Sequence, residues 1–220
     1  MPMPKDLDTY KGFLLENEAY DSSLAFEEAT IADLIVYIKS GKKFLFERCK
    51  KSSGLDFEYC WKNIRPSFRL NCTSKFALKN DVSELLKVYF HEEGHLPLFY
   101  DPLLTSIYEA WSNSLIWSNL EVPSQKEILK DPLVMGEILQ KSLENEVFSS
   151  RRLQLSLYLT PLKVVCLIQH EGLPFYWNEE DACKRPLTRG IGIIKAFSDK
   201  VSSHNQGKAL ELVFYHRKGQ

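Results

Sequence analysis

The chain has 220 residues, 44% apolar and 26% charged, with 28 Lys and Arg against 29 Asp and Glu for a formal net charge of -1. That is the balance of an ordinary soluble globule large enough to bury a core, and it supplies no global field to steer nucleic acid. The sequence has no apolar run long enough to cross a bilayer, and its proline-containing polar start is not a signal peptide, so the expected location is cytoplasmic, with no membrane partner.

In chain order, residues 1–65 read as a helical N-terminal extension of unassigned role. Leu24, Glu27, Ile31, Leu34, Ile35 and Ile38 keep a helical period; Gly41 stops it, a second apolar stretch starts at Phe44, and Ser52-Ser53-Gly54 breaks the pattern. Pro66 biases Arg65 toward extended backbone and marks a boundary. From Phe68 the pattern alternates, with Phe68, Leu70 and Cys72 against Arg69, Asn71 and Thr73, as in a half-buried strand.

Asn80 or Asp81 then caps a helix, with Glu84 placed for a capping pair and Val82, Leu85, Leu86, Tyr89 and Phe90 as its apolar face; Gly94 and Pro97 end it. Asp101-Pro102 starts another helix, with Leu104, Ile107, Tyr108, Trp111 and Leu115 facing inward and Glu109 and Asn113 on the other face. Pro123 opens a helical insertion, spanning 123–150, whose mixed pattern is that of a surface helix.

Alternation returns at Leu153, Leu155, Leu157 and Leu159; a Thr160-Pro161-Leu162-Lys163 turn leads into the apolar run Val164 to Ile168, predicting an antiparallel hairpin. A helix starting near Gly192 and a last strand from Ala209 to Tyr215 follow. Strand, two helices, insertion, two strands, helix and strand make an α/β protein of the α+β kind, a two-layer sandwich with a mainly antiparallel sheet over 66–220.

Two segments carry the chemistry. Gly190 and Gly192 allow backbone to approach a polyphosphate, and the helix opening there would aim free N–H groups at its charge. Glu109 and Asn113, one turn apart, could supply a proton acceptor and a neutral oxygen for magnesium. The plainer alternatives are a solvated helix face for Glu109 and Asn113, and a close helix–sheet contact for the glycines.

In order and spacing, these motifs resemble the ATP-binding domain of the GHKL superfamily, and within it the short-lidded anti-sigma serine kinases of the RsbW kind, over about residues 67–218. The segment Thr188 to Val201 is similar to that family's second glycine box and following helix, and Glu109-Ala110-Trp111-Ser112-Asn113 to its N box. The resemblance implies a histidine-kinase-like ATPase domain, with Glu109 as catalytic base, Asn113 as magnesium ligand, and His170, Gly172, Arg189, Gly190, Gly192 and Lys208 at the nucleotide. It also implies ATP and magnesium as cofactors, a sigma factor or an anti-sigma antagonist as protein partner, and a homodimer as the assembly.

The chain departs from the family at three places. His170 stands where an aspartate accepts from the adenine amino group, Lys208 follows Gly207 where threonine is usual, and Trp117 stands where a histidine often follows the N-box asparagine. Losing the aspartate costs about 1 to 3 kcal/mol of adenine recognition. The resemblance therefore leaves three readings open: an active kinase that phosphorylates a serine of its partner, a partner-switching protein with weakened ATP binding, or an interaction module that takes no cofactor.

A rival motif, His91-Glu92-Glu93-Gly94-His95, has the HExxH spacing of zinc hydrolases, but Gly94 and Pro97 put it at a helix end. The 5 cysteines, an odd number without CxxC spacing, read as small core residues in a reducing compartment, and His204 and His216 as loop and tail.

Overall fold

In a computed structural model of the chain, the described residues are 22–24, 44–47, 68–92, 100–123, 131–160, 162–174 and 188–216. They form a mixed α/β structure built on one sheet. The strands are β1 (Ser22–Leu24), β2 (Phe44–Glu47), β3 (Phe68–Thr73), β4 (Arg152–Leu159), β5 (Lys163–His170), β6 (Lys200–His204) and β7 (Ala209–Tyr215). The helices are α1 (Ser74–Lys79), α2 (Val82–Glu92), α3 (Tyr100–Asn113), α4 (Pro132–Glu144), α5 (Glu146–Ser150) and α6 (Thr188–Phe197).

Across the sheet the order is β1-β2-β3-β4-β5-β7-β6. From β3 to β6 every pairing is antiparallel, which makes a five-stranded antiparallel unit, one strand more than the four expected; β1 and β2 add to its β3 edge in parallel. The expectation of a helical extension at 1–65 is thus corrected at Ser22–Leu24 and Phe44–Glu47, which are strands. The rest of its helical pattern, Glu27 to Ile38, lies outside the described residues.

Strand register puts Phe68, Leu70 and Cys72 beside Leu157, Leu155 and Leu153, and these beside Cys166, Ile168 and His170. All of them are buried on the face that α2 and α3 cover, with Leu85, Leu86, Phe90, Leu103, Ile107 and Trp111 opposite them. Tyr108, expected inside, is 48% exposed: the helix turns Ser106, Ile107, Ala110 and Trp111 inward instead.

The opposite sheet face is more buried than simple alternation predicts. Tyr158, Val165, Leu167, Ala209 and Val213 form a second apolar cluster there. Beside it Gln154 donates to Gln169 on the neighbouring strand, so β4 is covered on both faces rather than half-buried, whereas β3 keeps Arg69 and Thr73 partly exposed.

The predicted caps are realised in part. Asp81 Oδ1 accepts from Ser83 N at 2.8 Å, but Glu84 pairs with Lys87 at 2.8 Å instead of closing a capping box. The insertion is helical as expected: Asp131 caps α4 with Pro132 at its start, and neither α4 nor α5 has a fully buried residue. The sequence pattern missed α1 and β6; His204 therefore lies on a strand, 3.5 Å from Glu211, rather than in a loop.

The end of α3 fixes the site. Beyond Asn113 the chain runs into a π-helical turn, Ser114–Asn119, in which Leu120 N bonds back to Leu115 O at 2.9 Å. This turn meets the end of β5. Leu173 N donates to Ser118 O at 3.0 Å and Gly172 N to Asn119 Oδ1 at 2.8 Å.

A Cβ on Gly172 would lie 1.9 Å from Ser118 O, so this position admits no side chain. Gly192, by contrast, sits in α6 with nothing within 4 Å of a built Cβ. Gly172→Ala is therefore expected to destabilise by about 3 kcal/mol or more, because backbone must move. Gly192→Ala is expected to stabilise by up to about 1 kcal/mol through helix propensity. Urea unfolding of the two variants checks both signs, and an equal response would contradict the packing described.

Candidate functional site

Glu109 and Asn113 lie one turn apart at the end of α3, on the side that receives the start of α6. Gly190, in the first turn of α6, is in direct contact with both. A Cβ there would lie 2.5 Å from Glu109 Oε2 and 2.9 Å from Asn113 Nδ2. The acid, the amide and the glycine helix start are thus brought together, as the sequence motifs require, but in contact rather than across a cleft.

The helix begins at Thr188, before both glycines, which corrects its expected start near Gly192. Its unpaired N–H groups are consequently those of about residues 188–191 rather than those beyond Gly192. Gly192 is exposed and makes no close approach; Arg189 belongs to the first turn, and its side chain lies outside the described residues.

Burial without a compensating cation raises the Glu109 carboxyl pKa, so this half-buried group holds a proton more readily than a surface glutamate. Asn113 Oδ1 accepts from Trp117 Nε1 at 3.0 Å, and Nδ2 is buried without a hydrogen-bond partner. A magnesium ligand at Asn113 would need that oxygen. The residues present therefore do not fit the magnesium site expected from the sequence, because the oxygen is engaged by the indole.

His170 ends β5 on the helix-covered face, 2% exposed. Its backbone N bonds to Lys208 O at 3.1 Å, and its ring bonds to the Gly207 backbone while Nδ1 has no partner. Gly207 reaches this position through a left-handed turn, with φ of 48°, 53° and 87° at Asn205, Gln206 and Gly207. Lys208 thus lies beside His170, as part of the strand pairing.

Glu171 points elsewhere: it accepts from Arg152 N at 2.7 Å and from Arg152 Nε at 2.9 Å, which makes it a clasp on β4. Between α3, α6 and the β5–β7 end lies a cavity of about 10 Å³, lined by Asn113, Ser114, His170, Ile194, Ser203 and Gly207 among others. That is room for about one water, against the roughly 300 Å³ or more of a small-molecule pocket.

Of the residues singled out from the sequence, Glu109 and Asn113 lie against Gly190 and Asn113 shares the small cavity with His170, while Gly172 packs on Ser118 and Gly192 meets nothing. Sequence reasoning missed the buried Asn119, whose only signal was its place in the Trp117-Ser118-Asn119-Leu120 run. In the rival HExxH motif, α2 is described as far as Glu92, His91 is exposed, and His95 lies outside the described residues. Among the described residues, no group of three or more His, Cys, Asp or Glu gathers to hold a metal. Nor is any described helix long and apolar enough to cross a membrane. No model of a known protein family and no curated protein matches the chain.

Burial lowers the His170 pKa from 6.5 to about 4, with Lys208 and Arg151 adding to the effect against the Gly207 bond. The folded state keeps His170 neutral where the unfolded state protonates it. The associated stability is present above pH 6.5 and is lost as pH falls toward about 4. Its size is on the order of 3 kcal/mol. Glu109 contributes with the opposite sign, since its raised folded pKa makes stability fall as pH rises. Urea unfolding at pH 6.5, 5.5 and 4.5 should show a steep loss that flattens in His170→Gln; an unchanged slope in that variant would show that His170 is not the group responsible.

Proposed function

We propose that this is a bacterial regulatory protein that works by binding other proteins, built on a GHKL-type fold like that of the RsbW-like anti-sigma serine kinases, with a weakened nucleotide site. The observation that carries the reading is convergence. Glu109 and Asn113 on one helix lie against Gly190 in a helix start, and Asn113 shares a small cavity with His170 at a strand end and with Gly207 before the last strand. Their chain order is the order of that family's motifs, and the antiparallel β3-to-β6 unit with helices on one face provides the frame such a site needs.

The weakening rests on chemistry at two positions. At His170 a neutral imidazole replaces the carboxylate expected to receive an adenine amino group, and it has one acceptor nitrogen instead of two oxygens. At Asn113 the oxygen is held by Trp117. No magnesium-dependent step is derived for this site. Glu109 is suited to proton acceptance, and its raised pKa suits a base better than that of a surface glutamate would.

A second reading, an interaction module without nucleotide, is favoured by the contact of Gly190 with α3, since α6 must move away before a phosphate can enter. In both readings the partner is a protein such as a sigma factor or its antagonist. Isothermal titration of the full chain with ATP and magnesium separates them. The expected result is binding no tighter than millimolar in the wild type, with His170→Asp tightening it about tenfold to a hundredfold by restoring the acceptor. Submicromolar wild-type affinity would contradict the weakening, and no heat from either protein would leave the nucleotide-free module.

A further inference from the structure

The Asn113 carboxamide has a fixed sense. An indole N–H only donates, so the atom 3.0 Å from Trp117 Nε1 must be the amide oxygen. The NH2 group therefore faces α6, where Nδ2 lies 2.9 Å from the place a Cβ of Gly190 would take. It is buried there with no partner. The side of Asn113 that meets the glycine helix start thus presents an unsatisfied donor, the opposite of what a hard cation needs.

Among the described residues, Glu109 contributes the carboxylate that lies against Gly190 beside this amide, and a single carboxylate is a poor holder for an ion that keeps an octahedral oxygen shell. Turning the amide over would bring its oxygen to that side. It would also set the NH2 against the indole N–H, two donors facing each other, so the indole locks the amide.

We propose that Trp117 is the residue that takes divalent cations out of this site's chemistry, by holding the Asn113 oxygen away from the start of α6. Without an indole donor at 117, the amide is free to turn its oxygen toward Gly190 and the site becomes cation-dependent. The proposal rests on the nucleotide-site reading for its ATP arm only, because the orientation of the amide stands on the hydrogen bond itself.

The test uses the full chain as wild type and as Trp117→Phe, with Trp117→Leu, which also has no N–H donor, taking its place should the phenylalanine variant fail to fold. In the first arm, ATP is titrated in EDTA and in magnesium chloride. The wild-type dissociation constants should agree within about twofold, whereas magnesium should tighten binding about tenfold in the variant, a change of about 1.4 kcal/mol. Tenfold tightening in the wild type, or none in the variant, overturns the proposal.

In the second arm, manganese ion alone is added to ¹⁵N-labelled protein. The Trp117 indole signal, assigned by its loss in the variant, should stay sharp in the wild type, and the Asn113 amide signals should broaden only in the variant. Broadening of that indole in the wild type, or no Asn113 broadening in the variant, overturns the proposal. Should ATP bind no variant, the nucleotide reading fails by itself, and the manganese arm then decides whether Trp117 locks Asn113.

Discussion

The geometry of the site depends on one buried side chain, Asn119. Fully inaccessible, it accepts from Gly172 N at 2.8 Å and donates to Ser74 Oγ at 3.1 Å and to Arg152 O at 3.0 Å. One amide therefore joins the end of β5, the start of α1 and the first residue of β4 to the π-helical turn that closes α3. Its own carbonyl takes Arg151 NH1 at 2.7 Å, and the same guanidinium group meets Glu121 at 2.6 Å. Each such bond contributes only about 1 kcal/mol, but leaving any of these groups unpaired inside would cost about 1 to 3 kcal/mol, so the arrangement is held as a set.

The consequence for the site is positional. Because the end of α3 is tied to the end of β5, Asn113 and His170 are brought to the same cavity, and α6 closes over α3 through a glycine. The glycines divide by this criterion. Gly172 is required by the carbonyl of Ser118, and Gly190 by the Glu109 and Asn113 side chains; Gly192 meets nothing. The first contact is against rigid backbone and the second against the ends of side chains, so the joint between α3 and α6 can yield more easily than the joint between α3 and β5.

Much of the frame was readable from local pattern. The alternation at Phe68 to Cys72 and at Leu153 to Leu159, the Asp-Pro start before α3 and the apolar run at Val164 to Ile168 each marked an element that the structure contains. What escaped had no local signature. β6, Lys-Val-Ser-Ser-His, is a short edge strand whose identity comes from its pairing with β7. The two-sided burial of β4 was hidden because Gln154 and Ser156 look solvated until Gln169 is set across from them. At the site, side-chain identity named Glu109, Asn113 and His170. It could not foresee that Trp117 would take the carboxamide oxygen, since that depends on the turn of the helix between them.

On the reading proposed here, the retained and altered positions follow a physical rule. Gly172 excludes a side chain because backbone lies against it whether or not a ligand binds, while Gly190 lies against the ends of the Glu109 and Asn113 side chains. His170 and Trp117 stand where the GHKL pattern has other residues, and here each bonds to the protein itself: the imidazole to Gly207, the indole to Asn113. A side chain that satisfies its neighbours stabilises the empty site, and that stabilisation must be given up before a nucleotide can be bound. The satisfaction is partial, because Asn113 Nδ2 and His170 Nδ1 stay buried without a partner, so the site keeps one unused donor and one unused ring nitrogen.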